Sequence, residues 1–349
     1  MNISIVKGEN RLASYQVRKF QQIPISILDL APVKEGSDAG ESFKESVQLA
    51  QQAEKWGFHR YWFAEHHNMP GVASSATSIL IGHIAAHTKA IRVGAGGVML
   101  PNHAPYIVAE QFGTLETLFP NRIDLGLGRA PGTDQATAFA LRRTLHVGPE
   151  DFPMLVNELQ DYFSKEPVSR VRAIPGQGLE VPIWLLGSSD YSARLAAQKG
   201  LPFSFASHFA PAYLLPALQL YREGFQPSAA LDKPYAMVAV NVIAADTDEK
   251  AEKIATSLYQ QFLNLIRGVE SKLLPPTDSM DNIWTPMERE QVKKSLNPLT
   301  TIVGSKETVR QGLEKIIEMT GADELIVGSQ IYHLEDRLRS LEILAELME

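Results

Sequence analysis

The amino-acid sequence predicts an α/β protein built as a single closed (β/α)8 barrel, also called a TIM barrel. Short apolar runs alternate eight times with longer amphipathic stretches, which is the pattern of parallel strands joined by helices. The chain has 349 residues, enough for a barrel of roughly 250 residues with insertions. The alternative is an open doubly wound sheet split into two domains. We prefer the barrel because no linker rich in proline, glycine and serine divides the chain.

Eight apolar segments are predicted as the barrel strands: residues 25–28, 60–63, 91–94, 123–127, 183–186, 203–206, 236–243 and 324–327. The first connecting helix is recognised from apolar residues at helical spacing between Phe43 and Ala53. Gly57 follows at the position where that helix would end. We assign residues 21–349 to one domain and leave residues 1–20 out of the fold as an N-terminal extension.

One segment, residues 271–299, stands out as an insertion. It carries four prolines among charged residues, and Trp284 is its candidate anchor. Loops of this length without secondary structure are uncommon unless they cover a site. We therefore predict an insertion loop in the C-terminal third that covers the mouth of the barrel.

Composition excludes several classes of function. The formal net charge of -7 gives no reason to expect a nucleic-acid partner. The chain contains no cysteine, which excludes disulfides, thiolate metal sites and thiol nucleophiles. No segment is predicted to span or anchor to a membrane, and the first twenty residues lack the apolar core of a signal peptide. We therefore expect a cytoplasmic enzyme.

Titratable and small residues follow the predicted strands, at the end of the barrel where such enzymes carry their active sites. The most informative segment is residues 61–68, in which an aromatic run ends in Glu65 and the adjacent His66 and His67. Histidine has an unperturbed pKa near neutrality, so His66 and His67 are candidate catalytic acids and bases. In the alternative interpretation both are structural, one packed and the other solvated. Other candidates at strand ends are Asp29, Asn102, His103, His208, Ser329 and Gln330.

Two further segments indicate an anion site. Residues 186–192 carry three serines at the start of a predicted helix, where free backbone N–H groups and the helix dipole attract a phosphate. The alternative is that Ser189 or Asp190 caps the helix. Arg129 follows the glycine-rich residues 126–128 and could bind a phosphate through two hydrogen bonds. Its alternative is a structural salt bridge.

Three other patterns carry less information. The glycines at 126, 128 and 132 have a spacing similar to a dinucleotide fingerprint, but Pro131 argues against a helix that begins there. His83 and His87 lie four residues apart without the base-bearing sequence of a zinc motif, so we expect no metal. The glycine cluster at residues 94–97 allows either a close ligand approach or a tight turn.

Together these motifs resemble the bacterial luciferase-like, flavin-dependent monooxygenase superfamily, and in particular a broadly distributed bacterial branch rather than the light-emitting proteins. The resemblance covers residues 23–346 and rests on residues 60–68, 93–101 (VGAGGVMLP), 124–131 (DLGLGRAP) and 186–202 (LLGSSDYSARLAAQKGLP). It implies a (β/α)8 barrel and an FMN-dependent oxidoreductase, most simply a monooxygenase. Such an enzyme would use O2 and reduced FMN, supplied by a separate reductase, to oxidise a small organic substrate through a flavin 4a-hydroperoxide.

The resemblance also implies roles for individual residues. His66 matches the catalytic base of the family, with His67 beside it, and Gly96–Gly97 matches a cis peptide bond under the flavin ring. Gly128 and Ser188 replace a cysteine and an acidic residue of the light-producing enzymes, which argues against light emission and a long-chain aldehyde substrate. The residues that match the cofactor-binding positions are Gly96, Gly97, Arg129, Leu186, Ser188, Ser189 and Ser192.

Two other functions remain open. A sister branch of the superfamily uses a deazaflavin, so a deazaflavin- or FMN-dependent dehydrogenase that transfers hydride is one alternative. A non-catalytic flavin-binding protein is the other. The partners we expect are a small-molecule substrate, a transient flavin reductase and further copies of the chain in a homodimer or larger homo-oligomer. We expect no nucleic-acid or membrane partner.

Overall fold

The computed structural model describes residues 15–130, 133–141 and 148–349. In these ranges ten strands form one sheet: β1 (Lys19–Phe20), β2 (Ile23–Asp29), β3 (Arg60–Phe63), β4 (Arg92–Met99), β5 (Ile123–Gly128), β6 (Ile183–Gly187), β7 (Phe203–Phe205), β8 (Ala236–Ala244), β9 (Thr301–Gly304) and β10 (Glu324–Gly328). The helices are α1 (Ala39–Trp56), α2 (Thr77–His87), α3 (Pro105–Leu118), α4 (Gln135–Leu141), α5 (Phe152–Phe163), α6 (Asp190–Lys199), α7 (Leu214–Glu223), α8 (Asp248–Arg267), α9 (Pro286–Ser295), α10 (Lys306–Thr320) and α11 (Leu334–Leu347). Among the described helices, none combines the length and apolarity needed to cross a lipid bilayer.

Eight of the strands close a parallel barrel. Strands β2 to β8 pair in chain order, β8 pairs with β10, and β10 pairs with β2. The predicted fold class and all eight predicted strands are therefore confirmed. Two short strands were not predicted: β1 adds antiparallel to β2, and β9 adds parallel to the second half of β8.

Alternation along the strands divides the core into two layers. In β2, Ile27 packs outward against the helices whereas Leu28 points into the barrel. In β3, Tyr61 and Phe63 belong to the outer layer and Trp62 to the inner one. Because successive side chains of a strand point to opposite faces, inward-facing residues at the carboxyl ends of the strands line the mouth of the barrel.

Helix α1 forms as its sequence predicts. The Asp38 side chain accepts a hydrogen bond from the Glu41 N–H at 3.0 Å, which satisfies one of the free donors of the first turn. The helix ends at Gly57, whose φ of 81° lies in the left-handed region that glycine adopts without steric cost. Leu49, Ala50 and Ala53 bury the inner face against the barrel.

Residues 15–20, which we left out of the fold, are part of it. Phe20 is buried, and the Arg18 N–H donates to the Gly57 carbonyl oxygen at 2.9 Å. Lys19 exchanges backbone hydrogen bonds with Glu349. This segment therefore contributes β1 and joins the two ends of the described chain.

The long insertion differs in part from its prediction as a loop. It contains helix α9, which begins with a capping box between Thr285 and Glu288. Leu273 forms a bridge with Lys34, just after β2, so one end of the segment lies at the carboxyl face of the barrel. Trp284 packs against Tyr259 of α8, with ring centroids 6.0 Å apart.

The opposite end of the barrel interior is closed by buried charges. The Arg60 guanidinium donates to Asp124 at 2.7 Å and to Glu324 at 3.1 Å. Burial disfavours the charged carboxylates, but the charge of Arg60 outweighs it and lowers the pKa of both acids to about 2. Trp62 packs above this network and donates its indole N–H to Asp124 at 3.1 Å. The barrel is therefore filled below Trp62, and open space remains only towards the mouth.

Replacing Arg60 with methionine tests this network. The change leaves Asp124 and Glu324 buried without their shared cation, so we expect the free energy of unfolding to fall by about 3–5 kcal/mol in urea denaturation. Arg310→Met, in an exposed pair with Glu307, is the control and should lower it by less than about 0.5 kcal/mol. Similar losses in the two variants would contradict the importance of the buried charges.

Candidate active site

A small cavity of about 30 Å³ lies inside the mouth of the barrel. Trp62 forms its floor and packs edge to face against Trp184, with ring centroids 5.2 Å apart. Most of the wall is apolar, with one hydroxyl group and one imidazole. The lining residues are Leu28, Trp62, Gly96, Leu186, Ser204, Ala206, His208, Ala239 and Ile326. Two predicted cofactor-binding residues, Gly96 and Leu186, therefore share this cavity.

Glycines in β4 and β5 make one wall of the mouth flat. The peptide bond between Gly96 and Gly97 is cis, as the resemblance implies, and the pairing of β4 with β5 shifts register at this point. A Cβ atom on Gly126 would lie 2.2 Å from the Ala95 carbonyl oxygen and 2.7 Å from Leu186 Cδ1. No side chain fits at this position, because the backbone of β4 and the Leu186 side chain pack directly against Gly126.

Glu65 joins the loops that follow β3 and β4. Its carboxylate accepts hydrogen bonds from His67 Nε2 at 2.7 Å and from His103 Nε2 at 2.9 Å. The Met99 N–H donates to it at 3.0 Å, and its own N–H donates to the Gly97 carbonyl oxygen at 3.2 Å. Burial disfavours the charged form, but the hydrogen bonds from the two histidines outweigh it and lower the Glu65 pKa to about 2. Glu65 is therefore ionised at neutral pH.

The adjacent His66 and His67 diverge, as expected for neighbours at the end of a strand. His67 reaches Glu65, whereas the charge of His66 acts on His208 across the mouth. Burial, followed by the charge of His66, lowers the His208 pKa to about 4. His208 is therefore neutral at neutral pH. Its Nδ1 atom is buried without a hydrogen-bond partner among the described residues.

The residues of the predicted anion site lie close together at the start of α6. The Arg129 guanidinium carbon lies 4.0 Å from the centre of the Tyr191 ring, in the first turn of α6. Ser189 is the N-cap residue, but its side chain makes no capping hydrogen bond. Asp190 pairs instead with Arg194 at 3.3 Å. Within the described residues, neither Ser189 nor Asp190 therefore caps the helix through its side chain. Arg129 lies beside the first turn of α6.

The three predicted serines occupy different positions at this end of the barrel. Ser188 and Ser189 are partly exposed at the start of α6. Ser192 is buried against Gly187, where an added Cβ would lie 2.5 Å from the Ser192 Cβ atom. Ser188 and Ser189 are therefore accessible to a ligand, while Ser192 packs behind them.

Several other candidates lie away from the mouth. Asp29 faces the helices and accepts hydrogen bonds from Arg337 at 2.8 Å and from Tyr61 at 2.6 Å. His83 and His87 contact each other on the exposed face of α2, with ring centroids 4.5 Å apart. Across the described ranges, no group of three or more histidine or acidic side chains is arranged to hold a metal ion. Pro131 and Gly132, from the weak dinucleotide pattern, lie outside the described residues.

Sequence reasoning named His103 and His208 only as residues at strand ends and gave neither a role. The structure places His103 on Glu65 and His208 in the cavity wall. The sequence offered one signal for these two histidines, which is that each follows a strand whose carboxyl end faces the mouth. Spacing along the chain could not select them, because His103 is 38 residues from its partner Glu65.

The fold and site define a (β/α)8-barrel enzyme with its candidate site at the carboxyl ends of the strands, and comparison with known proteins identifies its family. The family described as luciferase-like monooxygenase matches residues 23–324. This chain therefore belongs to the luciferase-like monooxygenase family.

Named relatives match over almost their whole length. A protein of Escherichia coli strain K12 named luciferase-like monooxygenase is 55% identical, over 94% of this chain and 97% of that protein. The N-acetyl-S-alkylcysteine monooxygenase of Bacillus subtilis strain 168 is 31% identical, over 93% of this chain and 98% of that protein. The chain is thus similar to proteins named monooxygenases throughout its barrel.

Solved structures share the fold. Apo-MsnO8 superimposes with a TM-score of 0.83 and 34% identity, covering 93% of this chain and 98% of that chain. The oxygenating constituent of 3,6-diketocamphane monooxygenase from Pseudomonas putida, solved with FMN, has a TM-score of 0.71 and 17% identity, covering 93% and 97%. An F420-dependent secondary alcohol dehydrogenase has a TM-score of 0.62 and 15% identity, covering 93% and 98%. The last two likenesses concern the fold alone.

Proposed function

We propose that the protein is a monooxygenase that uses reduced FMN and O2 to oxidise a small organic substrate. One observation carries this proposal: the candidate anion site and the histidine cluster follow strands β3 to β6, and residues Trp62, Gly96 and Leu186 of those strands line one cavity. The anion site follows β5 and β6, and the histidine cluster follows β3 and β4. The glycine wall of β4 and β5 lies between them.

The anion site fits the FMN phosphate. Stacking on Tyr191 holds the Arg129 guanidinium beside the start of α6, where a planar cation can form two hydrogen bonds to one phosphate. The first N–H groups of α6 lack a side-chain cap, and a helix N-terminus favours negative charge. Charge and hydrogen-bond donors thus converge at one position on the rim.

The cavity wall fits a flat aromatic ring. Gly96 lines the cavity with backbone alone, and Leu186 offers an apolar contact to a ring at the mouth. The buried Nδ1 atom of His208 lacks a partner among the described residues, and buried polar groups normally have one. A polar edge of a ring bound in the cavity would supply that partner.

The chemistry needs a reductant, oxygen and protons. Reduced FMN supplies two electrons and two hydrogens, so that one oxygen atom of O2 enters the substrate, the other leaves as water, and oxidised FMN remains. This chain would bind and orient the cofactor through Arg129 and α6 and exclude water with the apolar cavity. His66 would hold or move the proton at the mouth, because a neutral-range imidazole is an efficient acid or base. The relatives named monooxygenases support this reaction class.

Two partner proposals follow from the same structure. We infer that a separate reductase supplies the reduced flavin, as in the family that the sequence resembles. We also infer a homo-oligomer, because the adjacent helices α2 and α3 expose Ile79 at 71% and Leu118 at 63%. Burial of such apolar surface favours association. A monomer mass in sedimentation velocity would refute the homo-oligomer.

An anaerobic titration with FMN tests the cofactor. We expect the protein to bind reduced FMN, and Arg129→Met to weaken binding by about 10- to 100-fold, the equivalent of about 1.5–3 kcal/mol for hydrogen bonds to a charged group. Arg194→Met, an exposed arginine on α6, is the control and should leave the affinity within about twofold. Binding of a reduced deazaflavin in place of FMN would favour hydride transfer instead.

Oxygen mixing tests the catalytic role of His66. With a substrate found by screening small organic compounds, His66→Ala should lower the rate of product formation by about 10²- to 10⁴-fold, the range for one general acid or base. The affinity for reduced FMN should change little, because the anion site lies on other loops. His87→Ala, on the exposed face of α2, is the matched control. Turnover equal to wild type in His66→Ala would remove this histidine from the mechanism.

A further inference from the structure

The Glu65 cluster is the most enclosed group of titratable side chains at the mouth. The Glu65 side chain is only 1% exposed, whereas the His67 and His103 side chains remain 14% and 32% exposed. One carboxylate thus holds two imidazoles from different loops, and solvent or a ligand reaches the cluster through the rings rather than through the acid.

The direction of every hydrogen bond in this cluster follows from the chemistry of its members. Glu65 is ionised, and a carboxylate without a proton can only accept. Both histidines contact it through Nε2, at 2.7 Å for His67 and at 2.9 and 3.1 Å for His103. Each Nε2 atom must therefore carry a hydrogen. A neutral imidazole has only one N–H, so the unprotonated nitrogen of each ring is Nδ1.

The backbone keeps the carboxylate in this orientation. The Met99 N–H donates to Oε2 at 3.0 Å, and the Glu65 N–H donates to the Gly97 carbonyl oxygen at 3.2 Å. The Met99 bond orients the carboxylate independently of the histidines, and the Gly97 bond fixes the Glu65 backbone beside β4. Rotation of Glu65 away from either ring would leave the Met99 N–H without its acceptor.

Other polar and charged groups surround the cluster from the neighbouring loops. Within its own loop, His66 directs its charge towards His208. From the loop after β5, Thr133 donates to the His67 carbonyl oxygen at 3.1 Å, and Asp134 accepts from Asn68 at 3.1 Å. Asp134 thus contacts Asn68, the residue after His67, and Glu65 is the carboxylate in direct contact with both rings.

We propose that Glu65 is a positioning residue that fixes the Nε2–H tautomer of both His67 and His103, so that Nδ1 of each ring takes up and releases protons at the mouth of the barrel. The tautomer is a property of the protein itself. The use of these protons in catalysis rests on the proposed function, in which the oxygen atom that leaves as water must be protonated. His103, which matches no functional residue in the resemblance, thereby becomes a second proton-holding group beside His67.

The tautomers can be read directly in the full-length, flavin-free protein. Two-bond ¹H–¹⁵N correlation spectra of histidine-labelled protein distinguish Nε2–H from Nδ1–H rings, and His67→Gln and His103→Gln variants assign the two signals. At a pH where the rings are neutral, we expect both in the Nε2–H form. A neutral Nδ1–H form of either ring in the wild-type protein would overturn the proposal, whether or not any variant folds.

Glu65→Gln tests the cause of the tautomer. The glutamine amide has the same shape but only one acceptor oxygen, which the Met99 N–H retains. Its NH2 group then faces His67, so we expect His67 to change to the Nδ1–H form. Glu116→Gln, a second buried acid whose carboxylate accepts from the backbone N–H of Asn121, is the matched control and should leave both rings unchanged. An unchanged His67 in folded Glu65→Gln would also overturn the proposal.

A second measurement tests the catalytic part. In the complex with reduced FMN, the pH profile for flavin oxidation by O2 should shift by about one pH unit or more in Glu65→Gln and should stay in place in Glu116→Gln. An identical profile in Glu65→Gln would overturn the role in proton transfer. If the wild-type protein does not bind reduced FMN, the proposed function fails, and the spectra still decide the tautomer independently.

Discussion

The hydrogen bonds between Glu65 and β4 are the interaction on which the candidate site most depends. They join the end of β3 to the backbone around Gly97 and Met99, where the glycine wall of the cavity begins. The same carboxylate holds His67 and His103. One buried carboxylate therefore contacts both the histidine rings and the strand that contributes Gly96 to the cavity wall.

The cost of burying that charge is met by its partners. A carboxylate removed from water is unfavourable unless it is hydrogen-bonded or paired, and Glu65 has three donors around it. The floor of the barrel uses the same solution, with Arg60 between Asp124 and Glu324. The two networks differ in access, because Trp62 seals the floor whereas the rings on Glu65 remain partly exposed. The sealed ion pairs of Arg60 therefore lie at the floor of the barrel, whereas Glu65 and its partly exposed histidines lie at the mouth.

The mouth is electrostatically divided around its circumference. Arg129 and the start of α6 supply fixed positive charge after β5 and β6. The groups after β3, β4 and β7 are imidazoles and the ionised Glu65, and among the imidazoles His208 is held neutral by burial and by the charge of His66. A ligand with an anionic end and a flat ring would find complementary groups at both ends of the cavity. The division follows from strand order, since neighbouring loops around the rim come from neighbouring strands.

The sequence by itself determined the periodic elements of this protein. Apolar runs at strand spacing and the capping signals of α1 depend on local backbone preference, so they can be read without knowledge of the fold. Local signals also identified His66, His67, Arg129 and the serines before α6, because each stands at the end of an apolar run. They missed β9, whose four residues form a strand only by pairing with β8, and the contacts of residues 15–20.

Only the tertiary structure decided which of those residues work together. Asp29 and Glu65 both occur at strand ends, yet Asp29 faces α1 and α11 whereas Glu65 binds two histidines of the mouth. The residues that contact or face His103 and His208 belong to loops that are distant in the chain. The physical reason is that hydrogen-bond partners and burial depend on distance through space, which the closure of the barrel sets, whereas sequence patterns report only the nearest turn or strand.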